Sequence, residues 1–280
     1  TCAEMEDDTL ASVGIMEGRM YNSYLSKSKG YKICMTLLSV LSVGLLISAY
    51  IWVSGRNAVL LPSVEQIWAR CVKLFVSPIK GVNLLAHVWA SLRRVLLALL
   101  FSWTAGVVFG ILIGWNKTLN AIFGSIFELF RPIPPIAWIP IVIMWFGIGE
   151  FPKILIVIIG SIVPVVVNTR AGVSLVEQQY VDVGTVFGAG SRQMLVNIIM
   201  PVALPSIFAG LRTSVSSGWT VVLAAEMLGA DHGVGALVTR GWNASDMALV
   251  LVSIIVIAII GALLSVGLTL AEKVVCPWNQ

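Results

Sequence analysis

Glu128 and Arg131 are the two charged residues in an otherwise largely apolar stretch, residues 121–147. Charged side chains are costly in hydrocarbon, so those in membrane segments usually pair with each other or serve a substrate path. A spacing of three residues puts both on one face of a helix. The two residues therefore predict a mutual ion pair, a role in gating a pore or contacting an anion, or both.

Several prolines follow this pair: Pro132, Pro134, Pro135 and Pro140. Proline lacks a backbone N–H and breaks the hydrogen-bond ladder of a helix. Non-helical backbone at membrane depth is tolerated only where protein or a water-filled cavity surrounds it. We therefore predict a bend that lines a pore.

Three more side chains are candidates for the pore or its gate: Trp138, Trp219 and Glu226. Tryptophans near the ends of membrane spans also serve as interface anchors. Glu226 precedes Asp231 and His232 at the predicted outer end of a span, where a solvated loop end is the alternative to a docking or gating role.

The sequence contains no G-x-x-x-x-G-K-[ST] motif, so it predicts no phosphate-binding loop. Its four cysteines lack the spacing of metal ligands, and it has only two histidines. We find no Ser/His/Asp or paired-carboxylate pattern. A membrane-embedded enzyme would need a convergent set of titratable residues, and the pattern disfavours one.

The composition is that of a membrane protein. Hydrophobic residues make up 58% of the 280 residues and charged residues 11%, against about 45–50% and about 25% in soluble domains. The 18 lysines and arginines are dispersed, which argues against a nucleic-acid-binding surface.

A helix needs about 20 apolar residues to cross the hydrocarbon core. Residues 33–55, 95–116 and 247–271 carry no charge, and residues 121–147, 154–171 and 207–228 are less clean candidates. The pattern predicts an all-α integral membrane protein with six transmembrane helices. We expect a polar tail over residues 1–32, an anchor helix over 33–55, a connection over 56–94 with a surface helix over 63–75, and a C-terminal tail over 272–280. Basic residues just before residue 33 favour a cytoplasmic N-terminus, which with six spans places the connection outside and the C-terminal tail in the cytoplasm.

Residues 172–205 are too polar in their first half to span, and Pro201 and Pro205 interrupt the second half. The pattern predicts a short helix over 181–187, a glycine turn over 188–191 and a second short helix over 193–200. Asp182, near the start of the first, is expected to cap exposed amides. The segment either docks a partner or folds back on its own bundle.

This segment resembles the signature of the permease subunits of ATP-binding-cassette (ABC) importers, E-A-A, three residues, G, nine residues and I-x-L-P. The matching residues are Asp182, Val183 and Gly184 for E-A-A, then Gly188, Ile198, and Met200 with Pro201 for L-P. The spacing is complete, although Asp, Val, Gly and Met replace the usual Glu, Ala, Ala and Leu.

Further segments are similar to the taurine, sulfonate, nitrate and bicarbonate branch of these permeases. They are E-L-F-R-P-I-P-P-I-A-W-I-P at 128–140, W-F-G-I-G-E at 145–150, A-A-E-M-L at 224–228 and G-V-G at 233–235. The likeness extends from about residue 61 to the C-terminus and includes a final Pro-Trp, as in taurine permeases. The first 30 residues do not fit it.

The resemblance implies a type I importer fold with a five-helix core over 95–271 and a coupling loop over 172–205. Two permease copies would form the pore, two cytoplasmic ATPase subunits would dock on the loop, and an external solute-binding protein would deliver the substrate. ATP and Mg²⁺ would bind the ATPase, with no cofactor in this chain. The resemblance also implies the bacterial inner membrane and cytoplasmic termini.

The expected substrate is a small organic sulfonate such as taurine. Nitrate, bicarbonate, an alkanesulfonate or a vitamin precursor are alternatives within the family, where selectivity is expected mainly from the binding protein. An ATP-independent transporter or channel is the alternative class. Such transporters often have inverted repeats, and the sequence shows none.

Overall fold

A computed structural model describes residues 29–56, 61–76 and 81–277. These residues are mainly helical, and we number the helices in chain order: α1 Lys29–Arg56, α2 Val64–Val76, α3 Leu84–Trp115, α4 Lys117–Phe130, α5 Pro135–Phe146, α6 Glu150–Ser174, α7 Gln178–Val186, α8 Ser191–Met227, α9 Val234–Asn243 and α10 Met247–Val275. The chain divides into two compact units, Thr1–Ser63 and Val64–Gln280.

The first unit contains α1, which includes the predicted anchor span 33–55. The hydroxyl of Tyr50 donates a hydrogen bond to the Pro62 carbonyl at 2.6 Å. The helix begins at Lys29, so residues 29–32, predicted to belong to the polar tail, are helical. The rest of the predicted tail lies outside the described residues.

Among the described residues, α1, α3, α6, α8 and α10 are long and apolar enough to cross a membrane. Helices α4 and α5 meet this criterion together and are bent by 86° where they join. Counting the bent pair as one span gives the six predicted spans. The predicted break at the prolines therefore occurs within the third span.

The second span is longer than predicted, because α3 begins at Leu84 rather than at residue 95. The predicted boundary followed the charges of Arg93 and Arg94. In the structure Arg94 is buried and pairs with Glu150 and Glu226, so the helix continues through it. The connection after the first span correspondingly ends at Asn83, and α10 extends into the predicted C-terminal tail as far as Val275.

Helices α3, α6 and α8 form the centre of the second unit, with Val95, Val157 and Val222 fully buried. Hydroxyl groups add hydrogen bonds between these helices. Ser102 and Ser161 share a hydrogen bond of 2.8 Å between α3 and α6, and Ser217 donates to the Gly160 carbonyl at 2.7 Å. Such hydrogen bonds help to hold membrane helices together, because an apolar side chain gains little by leaving lipid tails for another apolar helix.

The predicted surface helix over 63–75 is confirmed as α2, Val64–Val76. Leu74 packs with Leu237 and Leu249, and Arg70 donates to Asp246 at 2.7 Å. This helix is thereby attached to α9 and to the start of α10.

The prediction that Pro201 and Pro205 interrupt the helical structure is wrong for α8. This helix is continuous from Ser191 to Met227, so the predicted second short helix is its first part. A π-helical turn over Met194–Ile199 precedes Pro201. Local π adjustments accommodate the missing N–H of proline within membrane helices, which explains why the helix continues.

Candidate functional site

Helix α7 lies between the last residue of α6 and the first residue of α8. Residues 175–177 connect it to α6, and residues 187–190 connect it to α8. The predicted helix over 181–187 is confirmed, although it begins earlier, at Gln178. Connections this short tie the position of α7 to the ends of both spans.

Asp182 lies in the middle of α7, where its Oδ1 accepts a hydrogen bond from Gln178 Nε2 at 2.9 Å. Because the helix begins at Gln178, Asp182 is not in the first turn, and the expectation that it caps exposed amides is wrong. Its side chain is exposed, as a contact to a partner requires.

Gly184 packs directly against side chains of α8. A Cβ at this position would lie 2.5 Å from Ile198 Cδ1 and 2.8 Å from Met194 Cε. The two ends of the E-A-A signature are therefore in contact, with Ile198 packed over Gly184. Any larger side chain here must push these side chains aside.

The turn after α7 depends on Gly188, whose φ is +74°. Its N–H donates to the Thr185 carbonyl at 3.0 Å, and the N–H of Ala189 donates to the Gly184 carbonyl at 3.0 Å. A residue with a Cβ rarely adopts this conformation. The glycine of the signature is thus explained by the backbone of the turn.

The outer side of α7 is apolar and exposed. We call the following residues the α7 surface: Leu175, Tyr180, Val183, Val186 and Phe187. Val186 and Phe187 are each 85% exposed. Exposed apolar patches of this kind mark sites that contact a protein or a membrane.

The last two signature residues lie at the end of the π-helical turn. Met200 is half-buried and Pro201 is exposed, in the first turn of the α-helical part of α8. They lie on α8 beyond Ile198, and their predicted part in coupling stays a prediction.

Glu128 binds two arginines. Its Oε2 lies 3.3 Å from Arg131 Nη1, within one helical turn, and its Oε1 lies 3.0 Å from Arg170 Nη1, on α6. Sequence analysis did not identify Arg170 as a partner, because a separation of 42 residues gives no local signal. We call these three residues the Glu128 cluster.

Two neighbouring cavities border the Glu128 cluster. One, of about 270 Å³, is largely apolar and is lined by Arg131, Trp138 and Ile159, among others. The other, of about 280 Å³, is lined by Glu128, Arg170 and Ser174, among others. Phe127 lines both. The cluster therefore borders open space between α4 and α6.

The prolines are at the break between α4 and α5. Pro132 and Pro134 lie within it and are exposed, and Pro135 is the first residue of α5. Pro135 packs on α6, with its Cβ 3.3 Å from a Cβ built at Gly160. Trp138 follows, its ring centroid 6.4 Å from that of Phe130. The bend is observed; its predicted role in a pore stays a prediction.

Trp219 is a packing residue within the protomer. It is 6% exposed, and its indole N–H donates to the Ile257 carbonyl of α10 at 3.1 Å. It lines neither of the two cavities. This burial argues against the predicted place at the wall of a pore, because the pore wall must be open to solvent.

Glu226 is buried, with 1% exposure, and does not form a solvated loop end. Its carboxylate accepts hydrogen bonds from Ser91 Oγ at 2.8 Å, from Arg94 Nη1 at 2.6 Å and from the Gly235 N–H at 2.9 Å. The G-V-G segment thus lies against the carboxylate of the A-A-E-M-L segment, with Gly233 and Gly235 close to it.

Arg94 joins this carboxylate to a second one. Its Nε and Nη2 donate to the two oxygens of Glu150 at 2.8 Å and 2.6 Å, and its Nη1 also donates to the His232 carbonyl at 2.7 Å. The arrangement links α3, α6, α8 and the start of α9. Sequence analysis did not identify Arg94 as a site residue. Its place directly before a charge-free span was a signal, because an arginine there can form a buried ion pair with a carboxylate.

Within the described ranges, no group of three or more His, Cys, Asp or Glu side chains could hold a metal ion. The charged clusters here each pair carboxylates with arginines. These arrangements can stabilise helix contacts or meet a charged solute.

Comparison with known proteins gives one consistent result. Residues 106–278 match the family described as "Binding-protein-dependent transport system inner membrane component". The chain is 39% identical over 193 residues to the taurine transport system permease protein TauC of Escherichia coli. This match covers 69% of this chain and 70% of that protein. It is 33% identical over 227 residues to the nitrate import permease protein NrtB of Synechocystis, covering 79% and 82%.

Among solved structures, a chain of the MetNI methionine ABC transporter matches with a TM-score of 0.56 and 18% identity, over 69% of this chain and 94% of that chain. This likeness supports the predicted type I importer fold. Together with the family match, it confirms the resemblance found at the α7 segment. The chain belongs to the permease family of ABC importers, within the branch that includes taurine, nitrate and sulfonate permeases.

Proposed function

We propose that two copies of this chain form the transmembrane path of an ABC importer for a small organic sulfonate such as taurine. Two ATPase subunits dock on the α7 surface, and a solute-binding protein delivers the substrate from outside. ATP and Mg²⁺ bind the ATPase subunits. This chain converts their motion into opening of the path.

The observation that carries the proposal is the α7 surface. Its residues are apolar and exposed, and a glycine turn follows α7. Short connections attach α7 to two membrane spans. A docked subunit that moves α7 must therefore also move α6 and α8.

The orientation follows from this docking. With α7 in the cytoplasm, the C-terminal end of α6 faces the ATPase and Glu150 faces outward. The Arg94–Glu226 pair then lies near the external side. Because the α7 segment follows the fourth of six spans, both termini lie in the cytoplasm of a bacterium, and the chain is a multi-pass protein of the inner membrane.

The substrate class is supported by charge as well as by relatives. The Glu128 cluster carries two arginines and one carboxylate beside both cavities, which favours an anionic group over a cation. The taurine permease TauC and the nitrate permease NrtB are both relatives, and both names denote substrates with an anionic group. Nitrate, bicarbonate, alkanesulfonates and vitamin precursors are the alternative substrates within the family.

The test is uptake into liposomes by the complete complex, with its ATPase and its binding protein. Taurine, an alkanesulfonate, nitrate and bicarbonate are compared, and the binding protein alone is melted with each, since a true ligand stabilises its folded form. We expect ATP-dependent uptake of a sulfonate. Preference for nitrate or bicarbonate would replace the proposed substrate, and uptake without ATP would favour a transporter or channel of another class.

A further inference from the structure

We propose that Arg170 transmits the movement of α7 to the bent third span, acting as a coupling residue through its ion pair with Glu128. The inference rests on the proposed function, in which α7 receives the ATPase. Arg170 lies on α6 in the turn directly before Ser174, the last residue of that helix. Residues 175–177 then lead to α7, so displacement of α7 reaches Arg170 over a very short length of chain.

The partner of Arg170 lies on a different structural element. Glu128 belongs to α4, two residues before the end of that helix and next to the proline break. The contact between Arg170 Nη1 and Glu128 Oε1, 3.0 Å long, therefore joins the end of α6 to the α4 side of the 86° bend. Arg131 binds the same carboxylate from within the break and cannot link the two helices.

Helix α4 has an irregular turn where Arg170 lies against it. Asn120–Gly124 is π-helical, and a Cβ built on Gly124 would lie 2.6 Å from Asn120 Oδ1 and 3.8 Å from Arg170 Nη2, so both groups border this glycine. Asn120 Oδ1 is buried at this turn without a hydrogen-bond partner in the described part of the chain. π-Helical turns occur frequently at functional sites, and an unsatisfied acceptor beside a guanidinium offers it a second position.

The exposure of the pair suits a contact that breaks and re-forms. The Arg170 and Glu128 side chains are 28% and 50% exposed, whereas those of Arg94 and Glu226 are 3% and 0% exposed. Exposed ion pairs contribute little to stability, whereas a buried pair is costly to separate. The Arg94 pair is therefore a fixed support, and the Arg170 pair can open during each cycle.

Opening of this pair changes the space next to it. Glu128 and Arg170 both line the cavity of about 280 Å³, so the distance between the two side chains helps to set its width. In the proposed orientation this cavity is on the cytoplasmic side of the bend. Separation of the pair by α7 would widen the cytoplasmic end of the path when the ATPase moves.

The test measures ATP hydrolysed per substrate imported by the reconstituted complex with its binding protein. We expect Arg170→Gln to raise this ratio about fivefold or more, a typical size for coupling between sites. Arg131→Gln removes the other partner of the same carboxylate, and whatever it does to the uptake rate, we expect the ratio to stay within about twofold of wild type. Arg212→Gln, which breaks another interhelical pair, with Glu272, is expected to leave uptake and hydrolysis unchanged.

The exchange of charges between Glu128 and Arg170, E128R with R170E, is made together with Arg131→Gln, because Arg131 lies 3.3 Å from the Glu128 carboxylate and would otherwise face a second arginine. This exchange restores the interhelical pair and is expected to return the ratio to within about twofold of wild type. This variant also decides the matter if Arg170→Gln fails to assemble. Equal ratios in Arg170→Gln and Arg131→Gln, or an assembled exchange variant that stays uncoupled, would overturn the inference. A wild-type complex that imports none of the tested anions would instead contradict the proposed function.

Discussion

Arg94 Nη1 lies 2.6 Å from Glu226 Oε1, and neither side chain is more than 3% exposed. The pair joins α3 to the end of α8, and Glu150 at the start of α6 adds a second carboxylate to the same guanidinium. Three of the membrane spans are thus connected at one buried arginine.

Replacement of Arg94 by Met is expected to destabilise the protein strongly. Glu226 would keep its hydrogen bonds from Ser91 and Gly235 but would lose the buried guanidinium that pairs with it. Separation of a buried pair costs about 3–5 kcal/mol, so the melting temperature of the purified complex should fall clearly. Arg93→Gln is the control, because Arg93 is exposed and lies 3.6 Å from Glu150. If both variants melt like the wild type, the Arg94 pair is not a structural support.

Replacement of Gly188 by Val is expected to weaken binding of the ATPase subunit, measured by co-purification. A φ of +74° strains a β-branched residue by about 1–3 kcal/mol, which displaces α7. Gly190→Val is the matched control, since Gly190 has a φ of −69° and only the Gln193 side chain within 4 Å of its would-be Cβ. Equal recovery of the ATPase with both variants would contradict a requirement for the turn.

Replacement of Asp182 by Ala is expected to lower transport-coupled ATP hydrolysis while leaving stability within about 0.5 kcal/mol, as for most surface positions. Within the described part of the chain the exposed carboxylate accepts a hydrogen bond from Gln178, one turn earlier on the same helix, so its loss removes little besides a contact to a partner. Asp182→Glu should be mild, because the family signature has Glu there. Full coupling in the Ala variant would leave Asp182 without a special role.

A double-mutant cycle separates the structural from the transport role of the Glu128 cluster. Because Glu128 and Arg131 are half-exposed, Glu128→Gln and Arg131→Met should each cost less than about 1 kcal/mol. The double variant should assemble with its ATPase yet transport poorly, since Arg170 also loses its partner. Melting temperature and uptake into liposomes are the two measurements, and uptake at the wild-type rate by the double variant would leave the cluster without a role in transport.

The six spans could be predicted from the sequence because hydrophobicity and length report directly on membrane crossing. The E-A-A spacing likewise located α7 and its turn, since the backbone of the turn requires Gly188 and the close packing on α8 requires Gly184. Arg94 and Arg170 were missed because their partners are 132 and 42 residues away. The prediction of a break at Pro201 was wrong because the π-helical turn before it accommodates the proline. No residue type in the sequence indicates such a turn.

The central claim, that α7 is the contact with the ATPase, is tested most directly by site-specific photo-crosslinking in the assembled complex. One crosslinking residue replaces Phe187 on the α7 surface, and another replaces Ile148, between α5 and α6, which is 75% exposed. These positions lie near opposite ends of α6. The account predicts a crosslink to the ATPase from position 187 and none from position 148. A crosslink from position 148, or none from position 187 in an intact complex, would contradict it.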